Sequence, residues 1–358
     1  MLCKALSLSP THTKQCSKFN FYTTTCVYYL RVAFIVKNLQ NPFFEAAYEG
    51  CKEEAILQTR RTSGGSTSTT TLGSKPPTIY CDYLAPDTLV ENTAAGQLQN
   101  DILLQIIQNT TTSSTTSSSS HGDGTSTGTK YYYDAVAISP FDAEGSTPYI
   151  NQVMEAGIPI VTYDTDAIHS KRIIHIGTDN TAFGEMLGKV LLQFAPLGGT
   201  YGTLAGFPAP NIAERVQGLQ NFLNGTTWTY AGPPDGVDGK GSSNTSIVAL
   251  RDLMEDHPDI NALVPVVGWP MWNVQGWKEF ATEFNDLTFV AGDASPSQIE
   301  LLELGYADGL VGQLPSDMGR QSLSELKHII IYRHKETGSF PAFFFVFQSH
   351  YVQVILGT

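Results

Sequence analysis

The sequence predicts an α/β protein of two lobes, each built on a parallel sheet with helices on both faces. Three observations predict it. Short apolar runs such as Val32-Ala33-Phe34-Ile35-Val36 read as strands buried on both sides. Helical patterns alternate with these runs almost throughout, and repeated β-α-β units imply right-handed parallel crossovers. A chain of 358 residues, 41% of them hydrophobic, is long enough for two cores rather than one.

The first strand is expected at Tyr28–Val36. Asn41-Pro42-Phe43-Phe44 follows at its carboxyl end, where open α/β sheets bind ligands. Asn41 suits an N-cap and Pro42 a first helical position. Phe44, Ala47, Tyr48, Cys51 and Ala55 then recur at helical spacing, so one face of this helix packs on the sheet. Further strands are expected at Thr78–Tyr83, Asp134–Ser139, Ile158–Tyr163, Arg172–Ile176, Gly199–Ala205, Ile260–Val267, Thr288–Ala291 and Gly309–Val311. The helical stretches between them include Asn92–Ile107, with Leu98, Ile102 and Ile106 on one face, and Ala182–Phe194. Ala213–Leu223, Pro296–Leu304 and Met318–Ile331 complete the set.

Three segments interrupt this alternation: Thr62–Pro77, Asn109–Lys130 and Thr226–Thr245. Each is rich in Ser, Thr or Gly and lies between a helix and the next strand. Such composition buries too little apolar area to offset ordering entropy, so all three are expected as flexible insertions. Asn109-Thr-Thr, Asn224-Gly-Thr and Asn244-Thr-Ser match the glycosylation sequon in or beside them, read either as acceptors or as chance in Ser/Thr-rich sequence.

A formal net charge of −13 argues against nucleic-acid binding and against an anionic membrane surface. No window is apolar over the length needed to span a bilayer. All five cysteines lie in the first quarter of the chain. None has metal-ligand spacing; Cys51 and Cys81 read as small buried hydrophobes, with a disulfide as the alternative. Residues 1–26 are expected to be disordered. Their apolar stretch is too short for a signal peptide, so either the protein is intracellular or its true start lies elsewhere.

Seven phrases, in order, carry a family resemblance: NPFFEAAYEGCKEEA, YDAVAISPFD, AGIPIVTYDTDA, KRIIHIGTDNTAFGEMLG, NIAERVQGLQNFL, FVAGDASPSQIELLELG and GLVGQLPSDMG. Together they resemble the ribose/galactose-type periplasmic sugar-binding proteins, whose type I fold is shared with bacterial sugar-responsive repressors. The likeness spans about residues 28–350, apart from the insertions. It implies two Rossmann-like lobes joined by a three-segment hinge, with a sugar clamped between them. The crossings are expected near Gly177–Asn180, Gln313–Pro315 and Gly338–Phe345. The lobes would then be residues 27–178 with 315–338, and residues 179–314 with 339–358. No helix-turn-helix precedes the first strand, which argues against a repressor. An extracellular, cell-envelope or periplasm-like location follows from the same likeness.

A neutral sugar needs carboxylates that accept hydroxyl protons, guanidinium or amide donors, and flat rings to stack on. The resemblance assigns these roles to Asn41 (amide), Phe43 and Phe44 (rings), Asp164 (first carboxylate), Arg215 (clamp), Asp293 (second carboxylate) and Gln313 (hinge amide). Each has a plainer alternative: a cap for Asn41, core packing for the two rings, a turn for Asp164 and a solvated helix start for Arg215. Three departures stand out. Thr165-Asp166 replaces the arginine that follows the first aspartate in ribose binders, Gly292 removes an aromatic before Asp293, and Gly268-Trp269-Pro270-Met271-Trp272 replaces an asparagine-bearing loop. Trp269 is read as the compensating ring, and Trp272 and Trp277 as core residues of the following helix.

The chain has no P-loop, no GxGxxG after a strand, no GxSxG elbow and no HExxH. Its eight histidines lack metal spacing, so neither metal nor cofactor is expected. Asp164 and Asp293 could be an acid/base pair for glycoside hydrolysis, but acceptance of sugar hydroxyls is the simpler role. The expectation is non-catalytic binding of a small sugar, with a membrane transporter or receptor as partner. A receptor ectodomain is the second reading and an enzyme the least favoured.

Overall fold

The structure, a computed structural model, describes residues 29–39, 41–63, 78–86, 93–112, 132–205, 209–336, 345–349 and 352–356. In chain order its elements begin with β1 (Tyr29–Ile35), α1 (Pro42–Ser63), β2 (Thr78–Leu84), α2 (Thr93–Thr112), β3 (Ala135–Ile138), α3 (Ala143–Glu155), β4 (Ile160–Tyr163) and β5 (Ile174–Thr178). Then follow α4 (Asn180–Phe194), β6 (Gly199–Gly202), α5 (Pro210–Leu223), β7 (Trp228–Tyr230), α6 (Ser243–Asp256) and β8 (Ile260–Leu263). A 3₁₀ turn (Trp269–Trp272), α7 (Val274–Glu283), β9 (Thr288–Gly292), α8 (Pro296–Glu303), β10 (Gly309–Gln313), α9 (Pro315–Glu336), β11 (Phe345–Ser349) and β12 (Val352–Leu356) complete the described chain.

Contacts divide the chain into two units: Met1–Ile176 with Pro315–Phe347, and Gly177–Leu314 with Gln348–Thr358. The first unit's sheet has the order β11-β5-β4-β3-β1-β2 and the second's the order β12-β10-β9-β8-β6-β7. In each, five strands run parallel, and β12 pairs antiparallel with β10. The two-sheet α/β architecture is the predicted one.

The first core gathers Ile35 (β1), Val136 and Ile138 (β3), Ile160 (β4), Leu103 (α2) and Ile150 (α3), all fully buried. Complete burial of the β3 run Ala135–Ile138 explains its unbroken apolar sequence, because helices cover both faces. Helices α1 and α9 pack in this unit on facing glycines. A Cβ at Gly319 would strike the Ala47 carbonyl, and one at Gly50 the Ser316 carbonyl. The second core is built on Phe183, Leu187, Leu219, Leu263, Trp277, Phe280 and Val290.

Several expectations are corrected here. Thr226–Thr245 is not a flexible insertion: β7 pairs parallel with β6, and Val237 bridges to Leu204. Trp228 explains why, since its ring is buried and its Nε1 donates to the Ala195 carbonyl at 3.2 Å. Apolar anchoring there outweighs the Gly/Ser-rich composition around it. The segment Thr62–Pro77 begins inside α1, and Asn109–Lys130 begins inside α2; their remainders, and residues 1–26, lie outside the described residues. Cys51 of α1 and Cys81 of β2 form a disulfide, not two separate thiols. Strand β11 sits beside β5 in the first sheet and β12 beside β10 in the second. The last passage between units thus falls within β11, after Phe347 and later than Gly338–Phe345.

Candidate functional site

In the first unit, parallel β1, β3 and β4 bring Lys37, Ser139 and Asp164 to one carboxyl edge. Asp164 follows β4 with φ of +60°, the left-handed region that Asp tolerates better than most residues. Its Oδ2 accepts from Ser139 Oγ at 2.8 Å and pairs with Lys37 Nζ at 2.8 Å. Lys37 also donates to Thr165 Oγ1 at 2.6 Å and lies 5.8 Å from the Phe44 ring centroid. A cation therefore does stand beside this carboxylate; it comes from the end of β1 rather than from position 165.

Asn41 caps α1, its Oδ1 accepting from Phe43 N at 3.0 Å. Phe43 is half-buried and meets Phe44 edge-on at 5.2 Å. Phe44 is only 3% exposed and stands edge-on to Tyr163, which stacks on Phe34 at 4.6 Å. Of the two rings, Phe43 keeps the more open face, while Phe44 also serves the core. Beneath them Gln99, fully buried in α2, ties the strand ends together. Its Nε2 donates to the Val36 and Ser139 carbonyls at 2.8 Å each, and its Oε1 accepts from Phe141 N at 2.7 Å.

Asp166 has a separate set of partners. It accepts from Thr162 Oγ1 at 3.0 Å, binds the buried Arg172 guanidinium and lies 3.6 Å from His175. Burial alone would raise its pKa, but the Arg172 hydrogen bond and the neighbouring His175 hold it below the usual carboxylate value. Burial in turn lowers the His175 pKa despite the attraction of Asp166. Thr165-Asp166 has thus exchanged an arginine for a hydroxyl on Lys37 and a structural ion pair.

The second unit repeats the plan. Asp293 follows β9 with φ of +66°; among the described residues only Asp164, Lys240 and Asp293 have positive φ without being glycine. Asp164 and Asp293 each follow the fourth strand, in chain order, of their own unit. Asp293 Oδ1 accepts from Gln313 Nε2 at 2.8 Å and its Oδ2 from Gly268 N at 3.0 Å. Gln313 Oε1 in turn accepts from Thr178 Oγ1 at 2.7 Å. Arg215, 3% exposed in the first turns of α5, lies 3.9 Å from Asp293. Its Nε donates to Asn180 Oδ1 at 2.9 Å, its Nη1 to the Val266 carbonyl at 3.3 Å, and its guanidinium lies 4.3 Å from the Phe183 ring centroid. Such burial with directed partners is not that of a solvated helix start.

Gly292 has a steric reason: a Cβ there would strike the Val266 carbonyl, so no ring can stand at that position. Trp269 opens the 3₁₀ turn, six residues beyond the end of β8 at Leu263, half-buried against the second core. Trp272 closes that turn instead of lying on the following helix, and α7 begins at Val274. Trp277 is on α7, fully buried, with Nε1 donating to the Tyr306 carbonyl at 2.8 Å.

The structure thus groups Asn41, Phe43, Phe44 and Asp164 in one unit, and Arg215, Asp293 and Gln313 in the other, with Trp269 in the loop after β8. Sequence reasoning missed Lys37, Ser139, Gln99, Thr178 and Asn180. A signal for Lys37 was available, because a lone cation directly ends an apolar strand at the ligand-binding edge. Among the described residues, no group of three or more His, Cys, Asp or Glu could hold a metal ion, and no helix is long and apolar enough to cross a membrane.

Comparison with protein families matches residues 87–333 to the periplasmic binding protein domain. The chain belongs to this family. It is a family of binding proteins, not of enzymes, and the sequence resemblance already pointed to it. Ribose import binding protein RbsB of Escherichia coli is 22% identical over 304 residues, covering 84% of each chain. That of Salmonella typhimurium is 22% identical over 315 residues, covering 87% of this chain and 88% of its own. Among solved structures, the glucose-galactose binding protein GanP of Geobacillus stearothermophilus aligns with a TM-score of 0.65 at 17% identity, covering 92% of this chain and 98% of its own. A sugar-binding protein of a Bacillus halodurans sugar ABC transporter aligns with a TM-score of 0.67 at 17% identity, covering 92% and 97%. At these identities the structural likeness speaks for the fold, here the type I periplasmic binding protein fold.

Proposed function

We propose that this periplasmic binding protein binds one small neutral carbohydrate, a monosaccharide or polyol, without chemical change. The two half-sites take the ligand together, and binding closes the hinge on it. The observation that carries the proposal is the matched pair of edges: each unit sets one carboxylate beside one cation, Asp164 with Lys37 and Asp293 with Arg215. Formal charge cancels within each pair, which suits an uncharged ligand. The remaining groups are those a sugar needs. Carboxylate oxygens accept from hydroxyls, Arg215, Lys37 and Asn41 donate, and Phe43 and Trp269 offer faces to the apolar side of a ring. Paired carboxylates suit hydroxyl acceptance better than general acid catalysis, which wants one carboxyl in an apolar pocket.

Relatives point the same way. RbsB is named for ribose and GanP for glucose and galactose, and solved relatives hold D-arabinose, D-fucose, glycerol or D-allose. Lys37 in place of the arginine after Asp164, and Trp269 in place of an asparagine-bearing loop, retune the site away from ribose. The ligand is delivered to a membrane transporter, or sensed through a receptor, on the outer side of a cell membrane. Titration calorimetry against pentoses, hexoses and inositols tests the reading. Saturable binding of at least one, with the sugar recovered intact, is the expected result; folded protein that binds none of them sinks it.

A further inference from the structure

We propose that Asn224 carries an N-linked glycan, added in an oxidising secretory compartment. Asn224-Gly225-Thr226 is one of three sequons, and its setting differs from the others. Asn224 ends α5 as its C-cap, outside helical geometry at φ −61° and ψ 128°. Residues 224–227 are all exposed. Gly225 has φ +80°, and a Cβ built there would meet no atom within 4 Å, so this turn stands in open space. The Thr226 hydroxyl donates to the Leu223 carbonyl at 2.6 Å and accepts from Trp228 N at 3.2 Å, fixing the turn from within. The Asn224 carboxamide takes no part in that network.

The other two sequons are less open. Asn109 is half-buried inside α2, and its neighbour Thr110 is buried with Oγ1 donating to the Ile106 carbonyl. Asn244 is exposed, but its Oδ1 is held by Asn273 Nδ2 at 2.7 Å.

A second observation bears on the compartment. The Cys51–Cys81 disulfide is buried, joining α1 to β2. Structural disulfides form and persist outside the reducing cytosol. The chemistry needs a lipid-pyrophosphate-linked oligosaccharide as donor. Asn224 Nδ2 forms the bond to C1 of the first sugar, and the bond from C1 to the pyrophosphate oxygen breaks. That oxygen leaves with the electron pair, and the amide gives up one proton to solvent. The turn precedes β7, so it lies at the amino edge of the second sheet, opposite the carboxyl edge that carries Asp293 and Gln313. A glycan there leaves the ligand groups of this unit clear.

Tryptic cleavage after Arg215 and Lys240 isolates residues 216–240, a peptide in which Asn224 is the sole sequon asparagine. Protein from the cells that make it is digested with and without peptide N-glycosidase in heavy-oxygen water. The proposal expects this peptide to appear only after the glycosidase, with Asn224 converted to heavy-labelled aspartate. Recovery of the unlabelled asparagine peptide from disulfide-bonded protein overturns it. Asn224→Gln, secreted from a eukaryotic culture, is expected to lose a glycosidase-sensitive mass shift that the parent shows. A shift that persists undiminished in this variant assigns the glycan to Asn109 or Asn244 and also overturns the proposal. Neither readout depends on sugar binding.

Discussion

Asp164 and Asp293 hold left-handed backbones at φ +60° and +66°, a conformation that costs a non-glycine residue on the order of 1–2 kcal/mol. Hydrogen bonds and a nearby cation offset that cost and aim both carboxylates off the strand ends. Loss of either aspartate, or of its cation, removes a charge-assisted contact at the candidate site. Asp164→Ala, Arg215→Ala and Lys37→Met are each expected to weaken sugar binding at least tenfold, about 1.4 kcal/mol or more. Calorimetry on variants whose circular dichroism matches the parent measures it, and parental affinity in any one of them removes that residue from the site. His175 supports a prediction on stability. Burial lowers its pKa, whereas in the unfolded chain it titrates near the ordinary value of about 6.5. Below that pH the unfolded chain takes up a proton that the folded chain refuses, so stability falls until the pH passes the folded value. The depressed Asp166 acts with the same sign at lower pH: its contribution is present above the ordinary carboxylate pKa and is lost as pH falls through the folded value. Urea midpoints should therefore climb from roughly pH 5 to 7.5, and more shallowly in His175→Gln; parallel curves for both proteins would contradict the assignment.

At the scale of elements, the first unit is stapled where its helix α1 meets the edge strand β2. Cys51 and Cys81 are 30 residues apart, and the chain between them includes residues beyond the end of α1. Closing a loop of that length in the unfolded chain is worth about 3–4 kcal/mol in the chain-entropy model. Cys51→Ala/Cys81→Ala should therefore lower the urea midpoint by a corresponding amount while leaving sugar affinity within about threefold, since neither sulfur touches the candidate site. An unchanged midpoint would mean that the bridge does not constrain the unfolded chain. Elements differ in how plainly the sequence announces them. Strands β1, β3, β4 and β9 are legible because burial on both faces demands unbroken apolar runs. Strand β7 is hidden, since one buried tryptophan anchors three residues within a Gly/Ser-rich stretch. Helix α3 carries Pro148 in its interior, and α6 starts within that same Gly/Ser-rich stretch, so both escape a reading based on periodicity. In α2 the buried stripe includes Gln99, a polar residue whose role as a tie between strand ends shows only when those carbonyls are in place.

For the whole molecule, the candidate site residues that one-dimensional phrases mark are Asn41, Phe43, Phe44, Asp164, Arg215, Asp293 and Gln313. Lys37, Ser139, Thr178 and Asn180, which those phrases do not mark as ligand groups, gain meaning from the fold: Lys37 and Ser139 meet Asp164 across parallel strands, and Thr178 and Asn180 meet Gln313 and Arg215. The repeated topology gives each unit one carboxylate beside one cation, Asp164 with Lys37 and Asp293 with Arg215. If both halves serve one ligand, binding is a single event that depends on residues more than a hundred positions apart in the chain. Calorimetry should then return one sugar per chain. Asp164→Ala and Asp293→Ala should each weaken that same isotherm, instead of each deleting one of two independent phases. Saturating sugar at about 100 times its Kd should raise the unfolding free energy by about 2.7 kcal/mol in the parent. At the same sugar concentration the gain in either variant should be smaller by at least about 1 kcal/mol, as a tenfold loss of affinity requires. Two sugars per chain, with each substitution silencing only one of them, would show two separate sites and would rule out a shared clamp.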